Sequence, residues 1–279
     1  MGGHLIYDVG LLDGEDTAYY LFQGHRVLAV DANPTMIDKA RTRFATEIGQ
    51  GRLTLLNVGI SESHGLNTFW VCEQAEWSSF DKALASRHNT HQTPVSVQVV
   101  PFADILRDYG VPHYLKIDIE GNDRMCIEAL SGLALPRYVS VESECTQDSE
   151  TLSDEQAIAM LVLLRDTGYQ RFKLVGQSAW LPVRASGARH LFNRALSSAA
   201  RGRLQVAGLR TVAQRFTDSA RIASLGFNFT PGATGPWGDD VPGPWMSFKS
   251  ARSAYLREKR KYFESKPQYS FWYDWHATY

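Results

Sequence analysis

The chain has 279 residues, 44% hydrophobic and 21% charged, enough to bury the core of one elaborated domain or of one domain with a lid. A formal net charge of −1 excludes the overall basicity that nucleic acid or an anionic membrane would call for. Three widely spaced cysteines, Cys72, Cys126 and Cys145, without a C-x-x-C pair, argue against a disulfide framework or a zinc knuckle and for a reducing compartment. The longest apolar run, 157–164, is too short to span a bilayer, and no N-terminal signal precedes the first strand, so a cytoplasmic location is the default.

Leu5–Val9 reads as a short strand that ends in a turn with glycines at Gly10 and Gly14. Thr17-Ala-Tyr-Tyr-Leu-Phe then has helical spacing, and a second apolar run, Arg26–Val30, ends on Asp31. Strand, glycine turn, helix and parallel strand make the unit whose open strand ends and helix N-terminus accept a nucleotide-like ligand. An acid closing the second strand can accept both ribose hydroxyls. The spacing Asp8-x-Gly10-x-x-x-Gly14 departs from G-x-G-x-x-G, with Leu12 where a second glycine would fall. An acid before the first glycine repels a pyrophosphate and suits the ammonium of a methionine moiety, which favours S-adenosylmethionine over a nicotinamide dinucleotide.

Asn33-Pro34 predicts a helix start, with Asn33 as cap and Pro34 at the first helical position, running to about Ile48. Leu53–Val58 reads as a third strand, which Gly59-Ile60-Ser61 leaves at the edge where an adenine would sit. Leu66–Val71 and Val95–Val100 alternate like antiparallel or edge strands. Between them, Ser78-Ser79 either hydrogen-bond a ligand or cap a short helix over 80–86.

Tyr114-Leu-Lys116-Ile-Asp118-Ile-Glu120-Gly121 is the second informative stretch. Strand alternation puts Lys116, Asp118 and Glu120 on one face, where three charges are costly unless paired or used. Lys116 and Asp118 as a buried structural pair is one reading; Glu120 falls at the strand's carboxyl end, where open α/β sheets bind ligands. Tyr138–Glu142 repeats the pattern, a helix capped by Ser153 or Asp154 is predicted to about Thr167, and a strand follows at Arg171–Val175. Alternation of β and α throughout selects a doubly wound sheet.

Together these residues resemble the FkbM family of S-adenosylmethionine-dependent methyltransferases. The resemblance is carried by Asp8-Val-Gly10 with Gly14, Val30-Asp-Ala-Asn-Pro34, Asn57-Val-Gly-Ile-Ser61, Ser78-Ser79 and above all Leu115-Lys-Ile-Asp-Ile-Glu-Gly121. It resumes at Gly235-Pro-Trp-Gly-Asp-Asp240 and Trp272-Tyr-Asp-Trp-His276. Leu11-Leu12 stand where the family usually has Ala-Asn. The resemblance implies a Rossmann-like class I methyltransferase fold: α/β, doubly wound and mostly parallel, with an inserted helical lid and an aromatic C-terminal extension. The expected division is a cofactor-binding core over 1–183, a basic helical insertion over 184–225, and a segment over 226–279 that completes the core and covers the site. The implied activity is methyl transfer to a hydroxyl of a sugar or natural product. A catalytically silent cofactor-binding module and a nicotinamide oxidoreductase are the alternatives.

The implied cofactor contacts are Asp8 and Gly10 toward the methionine part, Asp31 toward the ribose, Val58 and Gly59 beside the adenine, and Asp118 and Glu120 near the methyl group, with Gly14, Thr17, Ala32 and Ser79 as further contacts. Glu120 is the first candidate to position or deprotonate the acceptor, with Asp118 beside it. A divalent cation on Glu120, Asp118 and Glu142 is the less favoured alternative, since no confirming cluster accompanies them, and no metal ligand is assigned. His276 is the second candidate base, in an aromatic cluster that could fold over the cofactor; a packed residue is the competing reading. Trp237, Asp240 and Trp245, in a Gly/Pro-rich loop, offer aromatic faces and a carboxylate to a hydroxylated acceptor, or else plug the core. Seven arginines between 188 and 223 against the single acid Asp218 suggest a solvated helical face or an anion-binding lid. The expected partner is a small hydroxylated molecule, neither nucleic acid nor membrane; homo-oligomerisation is left open.

Overall fold

The computed structural model describes residues 3–86, 89–143, 152–184, 215–230, 232–265 and 272–279. Most of the basic stretch, residues 185–214, lies outside the described residues. Eight strands run side by side in the order β10 (Leu181–Val183), β9 (Arg171–Gly176), β12 (Tyr273–Thr278), β8 (Tyr138–Glu142), β7 (Tyr114–Ile117), β1 (Leu5–Val9), β2 (Arg26–Val30) and β3 (Leu53–Leu56). A two-residue strand, β11 (Met246–Ser247), pairs with β9. From β3 to β8 neighbouring strands are parallel. The last strand, β12, enters antiparallel between β8 and β9.

Both faces are covered, which is why the central strands read as nearly continuous apolar runs. On one face lie α5 (Phe102–Tyr109), α6 (Asp123–Glu128), α8 (Ala159–Thr167) and α9 (Phe248–Ser265), packed on Tyr7, Leu115 and Val139. On the other lie α1 (Glu15–Phe22) and α2 (Pro34–Arg43), packed on Ile6, Val27 and Tyr114. Asn33 caps α2 by accepting the Thr35 N–H at 3.0 Å, with Pro34 opening the helix, as its sequence predicts. That helix ends at Phe44 rather than continuing to Ile48 as one piece. The 154–167 helix likewise breaks at Ile158, its start held by a capping box between Ser153 and Gln156.

A smaller sheet joins β4 (Gly59–Ile60), β6 (Gln92–Val100) and β5 (Gly65–Cys72). The last two pair antiparallel from Gly65–Val99 to Cys72–Gln92, as their alternation predicts. This sheet stands beside the carboxyl edge of the main one and contributes Ile60 and Phe69 to the cavity wall there.

The Gly/Pro-rich segment near the C-terminus crosses the sheet face toward the opposite, amino edge. Trp237 stacks on Tyr114, the first residue of β7, with ring centroids 4.8 Å apart, and its Nε1 donates to Gln23 Oε1 at 2.9 Å. Trp245 Nε1 donates to Asp239, and Gln23 Nε2 donates to Asp240. Trp237, Asp240 and Trp245 therefore close the amino end of the sheet and are not an acceptor wall. A segment with neither helix nor strand needs side-chain anchors, and these residues supply them. Trp237→Phe keeps the stacked ring and loses one hydrogen bond. It is expected to cost about 1 kcal/mol in urea unfolding and to leave ligand affinity at the carboxyl edge unchanged.

His4, His25 and His113, far apart in sequence, meet around Trp237. The His4 and His113 rings stack at 3.9 Å, and His4 lies 5.7 Å from His25. Burial first, then the neighbouring imidazoles, hold His25 and His113 below the ordinary histidine pKa. Because the folded pKa values are depressed, the unfolded chain takes up these protons first. Stability from the cluster is complete above the unfolded pKa of about 6.5 and drains away as pH falls through it. Urea titrations across that range should show the loss, and His113→Asn should flatten it.

Candidate active site

The sheet reverses its winding between β1 and β7, and there the strand ends open a crevice. A cavity of about 510 Å³ occupies it, within the range that encloses a drug-sized ligand. Of the expected cofactor residues, Gly10, Asp31, Ala32, Val58 and Gly59 line it, as do Asp118 and Glu120. Gly10 has φ 90°, and a Cβ there would lie 1.7 Å from the Asp118 carbonyl oxygen, so only glycine lets the β1 and β7 ends close on each other. At Gly59 a Cβ would meet the Phe80 ring at 2.2 Å; its absence lets Phe80 join Ile60 and Met36 in an apolar slot.

Asp31 closes β2 with both oxygens engaged, accepting from Asn33 N at 2.7 Å and Leu12 N at 2.8 Å. Burial pushes its carboxyl up to about 6 against these two hydrogen bonds. Leu12 presents its amide from a left-handed conformation, φ 50°, which a branched side chain adopts at a cost and asparagine tolerates better. Leu12→Asn is expected to stabilise the fold by about 0.5–1 kcal/mol in thermal unfolding.

Beneath the cavity the roles differ from those the sequence suggests. Asp8 is 0% exposed and does not line the cavity. Its carboxylate meets Lys116 Nζ at 3.1 Å and accepts from Thr17 Oγ1 at 2.6 Å, so both Asp8 and Thr17 hold a lysine rather than a ligand. Gly14, also outside the cavity lining, instead starts α1 with φ 82°, its Cα against the Phe44 ring. Lys116 does reach the cavity wall and also donates to the Gly10 carbonyl, with Asp118 at 3.9 Å and Asp16 at 4.0 Å. Burial alone would lower its pKa, but Asp8, Asp118 and Asp16 hold it above the ordinary value.

Asp16 adds a contact that its place in the sequence leaves hidden. Its two oxygens accept the backbone N–H groups of Thr234 and Gly235 at 3.0 and 3.1 Å, tying the late segment across the mouth of the N-terminal unit. An acid beside Thr17 and Tyr19 on the buried side of α1 was the available signal.

The predicted face of Lys116, Asp118 and Glu120 holds for Lys116 and for Asp118, one residue past the end of β7 at Ile117, and is lost at Glu120, where the backbone turns left-handed. Glu120 has φ 51°, and its carbonyl accepts from Ser79 Oγ at 2.7 Å; Asp123 accepts the Ile119 and Gly121 amides at 3.1 Å. Ser79 is 1% exposed and also accepts the Asp81 amide, so it fixes the Glu120 turn and is not a direct cofactor contact. The short helix after it, α4 (Lys82–Ala85), is capped by Asp81 instead.

Residues 8–171, more than half of the chain, match the methyltransferase FkbM domain. The chain belongs to the FkbM methyltransferase family. Its sheet order, with one antiparallel strand set between the last two parallel ones, is the Rossmann-like class I arrangement that the resemblance implied. No curated protein matches it. Among solved structures it is similar to precorrin-6y C5,15-methyltransferase from Geobacter metallireducens, at 16% identity and TM-score 0.34 over 64% of this chain and 71% of that one. It is also similar to Haemonchus contortus phosphoethanolamine N-methyltransferase 2, solved with phosphomonomethylethanolamine and S-adenosylhomocysteine, at 10% identity and TM-score 0.38 over 99% of this chain and 49% of that one. Likenesses this distant carry no argument about its chemistry.

On the other side of the crevice the FkbM methyltransferase carries a row of acids. Asp118, one residue past β7, continues the register in which Lys116 faces Ser140, and so comes opposite Glu142; Glu142 pairs with Asp274 on β12. Burial, then Asp118, Glu120, Asp123 and Asp274, push Glu142 well above the ordinary carboxylate range, and burial and Asp118 push Asp274 up to about 8. Among the described residues no group of three or more His, Cys, Asp or Glu is disposed to hold a metal ion, the Asp118–Glu120–Glu142 set included.

His276 sits two residues deeper on β12, between Ser140 and Lys173, is 1% exposed and does not line the cavity. Burial, then Lys173, lower its pKa to about 3. It is thus a packed neutral residue and not a base over the cofactor; from the same stretch Trp272 reaches the cavity instead. No helix among the described residues is long and apolar enough to cross a membrane.

Proposed function

We propose that this FkbM methyltransferase transfers the methyl group of S-adenosylmethionine to a hydroxyl of a sugar or small natural product. The observation that carries the reading is the division of one cavity into a nucleoside end and an acidic end. At the first, Asp31 has lone pairs left for two ribose hydroxyls beside the apolar slot of Met36, Ile60 and Phe80. At the second, Asp118 and Lys116 offer one anion and one cation to an amino-acid zwitterion, beyond the reach of the sequestered Asp8. When bound, the cofactor supplies an electrophilic methyl on a sulfonium. The chain's part is to align an acceptor oxygen in line with it and to remove the hydroxyl proton. Glu120, in its Ser79-held turn, and Glu142, with its raised pKa, are the carboxylates placed to take that proton.

Calorimetry with S-adenosylhomocysteine, followed by a screen of hydroxylated sugars and polyketides for its production from the methyl donor, tests the reading. Saturation by a pyridine dinucleotide with no heat from either adenosyl compound would sink it.

A further inference from the structure

Part of the cavity wall comes from far along the chain: Gly232 and Ala233 line it together with Asp16 of α1 and Lys116 of β7. Gly232-Ala-Thr-Gly235 lies in neither helix nor strand, so its place depends on what its backbone groups meet. Partners hold it from two sides. On one, the Asp16 carboxylate accepts the N–H groups of Thr234 and Gly235 at 3.0 and 3.1 Å. On the other, Trp180 Nε1, in the turn between β9 and β10, donates to the Ala233 carbonyl at 2.8 Å.

Gly235 fits the segment between these two anchors. It has φ 83°, and a Cβ there would lie 2.2 Å from the Trp180 ring. Trp180 is itself left-handed, with φ 54°, a conformation that costs a bulky residue energy and persists only where the surroundings impose it, as they do at ligand sites. The Asp16 anchor also stands 4.0 Å from Lys116 Nζ, the cation assigned above to the amino-acid end of the cofactor. A wall fastened there keeps water from that end, where ionic contacts to a ligand then gain strength.

We propose that residues 232–235 form a strap over the amino-acid tail of the adenosyl ligand, and that Asp16 is the positioning residue that sets the strap in place. The inference rests on the methyl-transfer reading of the cavity and adds which part of the cofactor the late segment serves. The strap takes no part in the chemical step. It favours an adenosyl ligand that carries the amino-acid tail over a nucleoside that lacks it.

The test is calorimetry on the full chain with two probes, S-adenosylhomocysteine and adenosine, which lacks the tail. Asp16→Asn leaves one acceptor for two N–H groups and sets an amide donor against the other. Gly235→Ala pushes the strap off the Trp180 ring without altering any charge or any residue that lines the cavity. Each variant should weaken S-adenosylhomocysteine about tenfold and adenosine by less than about twofold, and retained adenosine binding also reports that the variants are folded. In the unmodified chain, hydrogen exchange at the Thr234 and Gly235 amides should slow when S-adenosylhomocysteine saturates it, and this result decides alone if adenosine gives no measurable heat. A loss confined to Asp16→Asn would make Asp16 a direct charge contact, and an equal loss of both ligands would make the strap a general support. Either result overturns the proposal, as does unchanged S-adenosylhomocysteine binding in both variants or amide exchange that the ligand does not move; all of them leave the methyltransferase reading standing. Failure of S-adenosylhomocysteine to bind the unmodified chain removes that reading, and the strap's role with it.

Discussion

Asp31→Asn is expected to weaken binding of S-adenosylhomocysteine by about two to three orders of magnitude, since in the proposed function two charge-assisted hydrogen bonds to the ribose, each worth about 1.5–3 kcal/mol, would lose their ionised acceptor. The side chain is half-buried at the end of β2 and keeps its shape in the variant, with an oxygen still available to the Leu12 or Asn33 amide. Thermal stability should therefore change far less than affinity. The wild-type protein should also show a pH signature. With the carboxyl held at about 6 by burial, the acid is protonated below that value and ribose hydroxyls lose an acceptor. Affinity should rise as pH climbs through 6 and then level off, falling by about tenfold per unit on the acid side. Calorimetry at several pH values checks the slope, and its persistence in Asp31→Asn would assign it to another group.

Lys116→Met is expected to destabilise the fold by about 3–5 kcal/mol in urea unfolding, the range for breaking a buried charge pair from one side. The lysine side chain is 4% exposed and meets a carboxylate that is fully buried; methionine fills similar space without the charge. Asp8 would then remain with Thr17 as its hydrogen-bond partner and Asp16 and Asp118 close by. The double variant Lys116→Met with Asp8→Asn removes both charges and should regain a large part of the loss, a coupling that only direct contact produces. A single-variant loss below about 1 kcal/mol would mean that the pair is not a structural anchor.

The end of the crevice built by β1 and β2 is legible in the sequence because its determinants are local. A glycine after a strand, an acid at the next strand's end and an Asn-Pro helix start act over a few residues, and Gly10, Asp31 and Asn33 do what their neighbours in the chain dictate. The LKIDIEG stretch is only half legible. Alternation places Lys116 and Asp118 correctly, but where a strand stops depends on what pairs with it, and the Ser79 and Asp123 side chains turn the backbone before Glu120. The meeting of His4, His25 and His113 is not legible, because nothing in the order of residues brings positions 4, 25 and 113 together; the amino edge of the sheet does.

By itself, then, the sequence determined the alternating β and α elements, the turns at Gly10 and Asn33 that shape one end of the crevice, and the family, each resting on periodicities or contacts within one βα unit. The tertiary structure alone decided that Asp8 faces Lys116 and not a ligand, that Asp16 fastens the 234–235 backbone, that Trp237 plugs the far edge, and that β12 sets Asp274 beside Glu142 while sinking His276. Each of these is a contact across many residues of chain, and its partner is fixed by which strand lies next to which, a choice made by packing the whole sheet.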